Sequence, residues 1–191
     1  LTSNPNAGYA FASWSGDLTG SANPGQITMS GDKSVTANFT QRRYLLTLLV
    51  SPLGSGAISA IPPAGSDGKY AAGTVVTLTP HPNTGYSFSS WSGDLTGTGL
   101  VMLIVMSGDR SVTAHFTQQR YALTLSVNPA GGGTISTNPF AGSDGKYAAG
   151  TVVTLTPNPN TGYSFSSWSG DLTGSTNPGQ LTMSGDKSVT A

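Results

Sequence analysis

Apolar and polar residues alternate with a period of two along much of this 191-residue chain. Tyr121, Leu123, Leu125 and Val127 fall on one side of an extended segment, and Ala122, Thr124 and Ser126 on the other, the pattern of a half-buried β-strand. Further short strands are predicted at Thr134–Thr137, in the β-branched run Thr151–Thr156, at Tyr163–Trp168, around Leu181 and Met183, and from Val189 onward. Strict alternation in Tyr163–Trp168 puts Tyr163 and Phe165 on one face and Trp168 on the other. Between these runs stand turn sequences: NPAGGG at Asn128–Gly133, NPNTG at Asn158–Gly162 and SGDK at Ser184–Lys187. In them Pro fixes φ, Gly permits positive φ and Asp bonds nearby backbone. No segment sustains a helical period. The pattern predicts an all-β protein made of small antiparallel modules, each with about six short strands.

Self-comparison shows how many modules there are. GYAFASWSGDLTG at Gly8–Gly20 returns as GYSFSSWSGDLTG at Gly85–Gly97 and again at Gly162–Gly174. Trp14, Trp91 and Trp168 therefore recur at a constant interval, as do Tyr44 and Tyr121. Aligning 44–114 with 121–191 gives 52 identities in 71 positions, so these are near-copies rather than domains with divided labour. The chain divides into the C-terminal half of a repeat (1–43), a complete repeat (44–120) and a nearly complete one (121–191). The junctions Thr40–Arg43 (TQRR) and Thr117–Arg120 (TQQR) are too short to act as flexible tethers, so a rod-like array is expected. Leu1 aligns with Leu78 inside a strand, and Ala191 with Ala114, so both ends read as cuts through a unit of a longer chain.

Composition narrows the function. Charged residues are only 8% of the chain, and eight basic and eight acidic groups cancel to zero. A neutral surface lacks the clustered Lys and Arg that neutralise phosphates, which argues against a nucleic-acid partner. There is no cysteine, and hence no disulfide and no thiolate metal site. The longest apolar run, Leu100–Met106, is far short of the roughly 18 residues of a membrane-spanning helix.

The combination of YALTLSVNPAGGGTIS, YAAGTVVTLTPNPNTGYSFSSWSGD and MSGDRSVTAHF resembles the divergent internalin-type B-repeat family of bacterial surface proteins. The G-Y-x-F-x-x-W-S-G-D and S-G-D-K-S-V-T motifs carry the likeness, which covers the whole chain. The resemblance implies a β-grasp-like module, repeated in tandem in secreted or wall-attached proteins, and serving as stalk or adhesive spacer. It implies no catalytic residues and no cofactor. Family members often carry a cysteine pair in the loop after W-S-G-D; this chain has none there, so its loop must be held by packing.

Candidate chemistry is sparse. All eight acids are Asp: Asp17, Asp94 and Asp171 in the first SGD turn, Asp32, Asp109 and Asp186 in the second, and Asp67 and Asp144 in SDGK. Calcium requires six to eight oxygens, usually from carboxylates close in sequence, and no D-x-D spacing occurs, so turn capping is the expectation. His81 and His115 are replaced by Asn in other copies (Asn4 and Asn158; Asn38), which argues against catalysis. Gly131–Gly133 join two strands and lead into no helix, so they form no phosphate loop. No nucleophile-elbow, zincin or P-loop motif is present, and no enzyme is expected. Asn38-Phe39-Thr40 is a single glycosylation sequon. Tyr86, Phe88 and Trp91 with their copies read as core, while a glycan-stacking platform built on Trp14, Trp91 and Trp168 is the alternative.

The copies disagree most at Thr98–Val105. The first and third repeats carry SANPGQIT and STNPGQLT; the middle one carries TGLVMLIV. Leu100, Val101, Met102, Leu103 and Ile104 are therefore either a local repacking or an uncharged association strand for a like subunit. The half repeat 1–43 is likewise expected to be completed by a strand from outside these residues, from preceding chain or from a neighbouring subunit in a filament.

Overall fold

The computed structural model describes residues 1–191 and contains strands and turns without helices. The first repeat contributes β1 (Tyr9–Gly16) and β2 (Val35–Gln41). The middle one runs β3 (Arg43–Tyr44), β4 (Leu46–Ser51), β5 (Gly56–Ile61), β6 (Tyr70–Ala71), β7 (Val75–Pro82), β8 (Tyr86–Gly93), β9 (Met102–Val105) and β10 (Arg110–Gln118). The third supplies β11 (Arg120–Ser126), β12 (Gly133–Asn138), β13 (Lys146–Ala148), β14 (Val152–Pro159), β15 (Ser169–Gly170), β16 (Gly179–Thr182) and β17 (Lys187–Thr190). The strands form small sheets, among them β5–β7–β9 and β4–β10–β8 in the middle repeat and their counterparts β12–β14–β16 and β13–β11–β17–β15 in the third.

Most ladders are antiparallel, but the first and last long strands of a repeat pair in parallel. Leu46 to Ser51 of β4 lie opposite Arg110 to His115 of β10, and Leu123 to Ser126 of β11 opposite Lys187 to Thr190 of β17. Parallel neighbours need a long crossover. Here the rest of the repeat is the crossover, and alternation within either strand gives no hint of the partner's direction.

The core follows the alternation. In the third repeat Val153 and Leu155 of β14, Leu181 and Met183 after it, Val189 of β17, Tyr147 and Trp168 form one buried cluster, with Leu123, Leu125, Ile135 and Phe165 packed against it. Val76, Leu78, Ile104, Met106, Val112 and Ala114 are the buried counterparts in the middle repeat. Tyr163, expected in the core beside Phe165, is instead exposed, and Tyr147 of the YAAG turn takes a core place.

Contacts gather the chain into two compact bodies whose boundary runs through the middle repeat. One comprises Leu1–Leu53, Ala57–His81 and Ser89–His115; the other comprises Gly54–Gly56, Pro82–Phe88 and Phe116–Ala191. Each body contains one repeat junction, and the two junctions are built alike. In the first, Arg42 N donates to Gly8 O at 2.7 Å and Ala72 N donates to Arg42 O at 2.8 Å. In the second, Gln119 N donates to Gly85 O at 2.7 Å and Ala149 N to Gln119 O at 2.9 Å. The linker backbone thus bridges the G-Y turn before it and the YAAG turn after it. Gly8 (φ +81°) and Gly85 (φ +84°) are required there, because a Cβ on either would lie 3.0 or 2.9 Å from the methyl of Ala72 or Ala149.

Candidate functional site

The motif G-Y-x-F-x-x-W-S-G-D marks the best-defined side-chain cluster of each repeat. In β1 the register shifts between Phe11 and Ser13, so Ala12 is an extra residue opposite no partner. This bulge reverses the alternation. Trp14 therefore lands beside Phe11, ring centroids 5.0 Å apart, and Trp168 stands 4.9 Å from Phe165. The expected opposition of Phe and Trp faces is corrected by that single inserted residue. The indoles are closed in: Trp91 and Trp168 are 3% exposed and Trp14 7%. Each indole Nε1 donates at 2.8 Å to a carbonyl in the following loop, that of Ala22, Gly99 or Thr176. Each Trp backbone N–H donates to Gly20, Gly97 or Gly174 O. A sugar-stacking platform needs an open ring face, and Trp14, Trp91 and Trp168 present none. They fasten the loop that follows W-S-G-D.

Seven of the eight aspartates act over longer spans than turn capping. Asp17, Asp94 and Asp171 accept from the backbone N–H of Ser34, Ser111 and Ser188 at 2.7–2.8 Å and pair with Lys33, Arg110 and Lys187. Asp109 and Asp186 accept from Leu45 N and Ala122 N at 2.8 Å, fastening the SGD turn to the first strand of the same repeat. Asp67 and Asp144 accept bidentate bonds from Arg43 and Arg120 at 2.7 and 2.9 Å, and each also caps its own turn through Lys69 N or Lys146 N at 3.1 Å. The Arg43 and Arg120 bonds, then the turn N–H, hold the Asp67 and Asp144 carboxyls below their ordinary value of 3.8. The Ser111 and Ser188 N–H groups, then Arg110 and Lys187, do the same for Asp94 and Asp171. Arg43 and Arg120 were not singled out by sequence reasoning. Their fixed offset from SDGK in both copies is the signal that marks them.

The histidines do what asparagine does in the other copies. His115 Nε2 lies 2.6 Å from Ser92 Oγ, where Asn38 Nδ2 donates to Ser15 Oγ at 3.0 Å. His81 Nε2 lies 2.9 Å from Ser59 Oγ, where Asn158 Nδ2 donates to Ser136 Oγ at 3.2 Å. Both Ser–His contacts are cross-strand hydrogen bonds that a neutral amide makes equally well.

A family model for the divergent InlB B-repeat domain matches residues 1–43, 46–120 and 123–191. The chain belongs to this family of bacterial surface proteins. No curated protein and no solved structure matches it.

The divergent segment of the middle B-repeat has two sides. Met102–Val105 form β9 against β7, with Ile104 and Met106 buried and Met102 half-buried. Ile104 thus takes a core place, with Met102 half-buried beside it. Leu100, Val101 and Leu103 are exposed. The packing against the tryptophan is rearranged to match. In the third B-repeat Gly179 lies under Trp168, where a Cβ would stand 2.9 Å from Nε1. Met102 holds that position in the middle B-repeat, and Gly99 replaces Thr176 and gives Met102 room, since a Cβ there would meet its sulfur at 2.7 Å.

A hollow of about 260 Å³ lies at the end of the third B-repeat among Val127, Pro129, Pro157, Tyr163, Phe165 and Ala191. Phe165 is the counterpart of Phe88, which packs edge-on against buried Phe116 at 5.8 Å in the middle B-repeat. Tyr163–Ser167, expected as a strand, form none, although the equivalent Tyr86–Gly93 do.

Proposed function

We propose that this chain is a non-catalytic structural segment of a secreted bacterial stalk, adhesin or extracellular filament, acting as spacer and as a self-association module for like repeats. The observation that carries this reading is the junction. Two linkers of different sequence, TQRR and TQQR, make the same pair of backbone bonds, Gly8–Arg42–Ala72 and Gly85–Gln119–Ala149. A linker used as a fixed bridge serves a chain that must propagate a defined spacing from repeat to repeat. The polar side chains support the same reading: aspartate, arginine and histidine are engaged in holding turns and strands together. Small-angle scattering on tandem chains of increasing repeat number tests the proposal. The maximum dimension is expected to rise by a constant increment per repeat, and a dimension that grows only as the cube root of mass refutes it.

A further inference from the structure

The outer face of the β5–β7–β9 sheet is where the middle repeat departs most from its neighbour. Val76 and Leu78 of β7 are fully buried, so alternation sets Val75, Thr77 and Thr79 outside. Leu103 lies opposite Thr77, and Val105 opposite Val75. In the corresponding sheet of the third repeat Asn138 lies opposite Thr154, the counterpart of Thr77, which places Ile61 in the Thr77–Leu103 row. Ile61 is 66% exposed, Leu103 61%, Val105 50% and Val75 48%. The third repeat has Asn138, Gln180, Thr182 and Val152 at these positions, and Thr134 where the middle repeat has Ala57. Two separate segments of sequence have thus exchanged polar for apolar residues on one face, in repeats that agree at 52 of 71 positions. These side chains point away from the core, so core packing does not account for them.

We infer that this face is a homophilic contact, packing sheet on sheet against the same face of a second copy of the chain. The inference rests on the self-association reading above and names its residues and its partner. No charged side chain stands in 57–61, 75–80 or 98–106, and the whole chain has no net charge, so two like faces meet without repulsion. A twofold axis brings the same face of each copy together, and two packed sheets lie about 10 Å apart with their strands crossed by the sheets' twist. With on the order of 100 Å² open on each of Ile61, Val75, Val101, Leu103 and Val105, a pair buries ~1,000 Å², the size at which specific interfaces begin. A polar partner would leave those side chains without apolar cover.

Sedimentation equilibrium on the full 191-residue chain tests this. The main variant combines Ile61→Asn, Leu103→Gln and Val105→Thr, residues that the third repeat already carries at the same places in a folded sheet. Leu103→Lys puts a charge at the centre of the face. Leu49→Ser, on the β4–β10–β8 sheet, is the control, and thermal melts verify that each chain is folded. A dimer with a dissociation constant of about 10–100 μM is expected for the unaltered chain and for Leu49→Ser, weakened at least tenfold in the other two. An unaltered chain that stays monomeric to ~1 mM overturns the inference, as does a dimer that both face variants leave intact or that Leu49→Ser alone abolishes. A monomer whose scattering dimension still grows with repeat number overturns only the contact; a dimer whose dimension does not grow overturns only the spacer reading.

Discussion

Gly85→Ala probes the repeat junction, and its cost can be worked from two features. The residue has φ +84°, a left-handed conformation that costs an L-residue ~1–2 kcal/mol. Its new methyl would also lie 2.9 Å from Ala149 Cβ, well inside the ~3.5–4.0 Å separation of two carbons in contact. Forcing an extra methyl into packed surroundings costs ~1–3 kcal/mol. The single change is therefore expected to destabilise by ~2–5 kcal/mol. Ala149→Gly removes the opposing methyl. In the double variant the backbone cost remains and the contact cost disappears, so the cycle should give a coupling of ~1–3 kcal/mol, with Gly85→Ala less damaging when residue 149 is Gly. Urea unfolding followed by tryptophan fluorescence measures all four corners, and Gly8→Ala with Ala72→Gly repeats the test at the other junction, where the separation is 3.0 Å and φ is +81°. A coupling below ~0.5 kcal/mol at both junctions would refute the reasoning, since the two turns would then not be held against one another.

Three other outcomes are expected. Leu155→Ala, at a fully buried position of β14, should lower the stability of the third repeat by ~2–5 kcal/mol in denaturant titration. Gly179→Ala places a methyl 2.6 Å from Leu172 Cδ2 and 2.9 Å from Trp168 Nε1, and should cost ~1–3 kcal/mol and shift the Trp168 emission, whereas Met102→Ala in the middle repeat should leave a hole instead of a clash. The carboxyls of Asp67, Asp94, Asp144 and Asp171 are held below 3.8 in the folded chain, so their stabilisation is full above that value, starts to be lost as pH drops below it and is gone once pH has fallen through their lower folded-state values. The melting midpoint should stay level from about pH 7 to pH 5 and fall below about pH 4, less steeply in Arg120→Gln.

Alternation and turn chemistry made the strands legible, because a strand with one buried face must place an apolar residue at every second position. β14 and β11 lie where that rule puts them. The rule failed at Trp14, where one bulged residue reverses the faces, and nothing in the local residues YAFASW announces a bulge. It was silent on the parallel pairing of β4 with β10, since direction depends on what lies between the strands. The aspartates were recognised as structural, but their partners lie up to 64 residues away, and only the fold brings Asp109 to Leu45 N. The divergent segment 98–106 was visible as a disagreement between copies. That Ile104 and Met106 within it are core, and that Ile61 shares its exposed face, emerged only once β5, β7 and β9 were set side by side.

The parallel pairing of first and last strands also decides how a repeat bears load. Tension drawn along the chain enters β4 at Leu46 and leaves β10 beyond His115, at opposite ends of one ladder whose pairs run from Leu46–Arg110 to Ser51–His115. Pulling slides the two strands along each other and stresses all these hydrogen bonds at once, where a hairpin pulled from its open end would unzip one bond at a time. Rupture then requires the ladder to fail together, and resistance to force becomes a matter of unfolding rate more than of equilibrium stability. The Asp109 carboxylate on Leu45 N sits at the entry point of that load. It is a clamp at the place where the strand would first begin to slip.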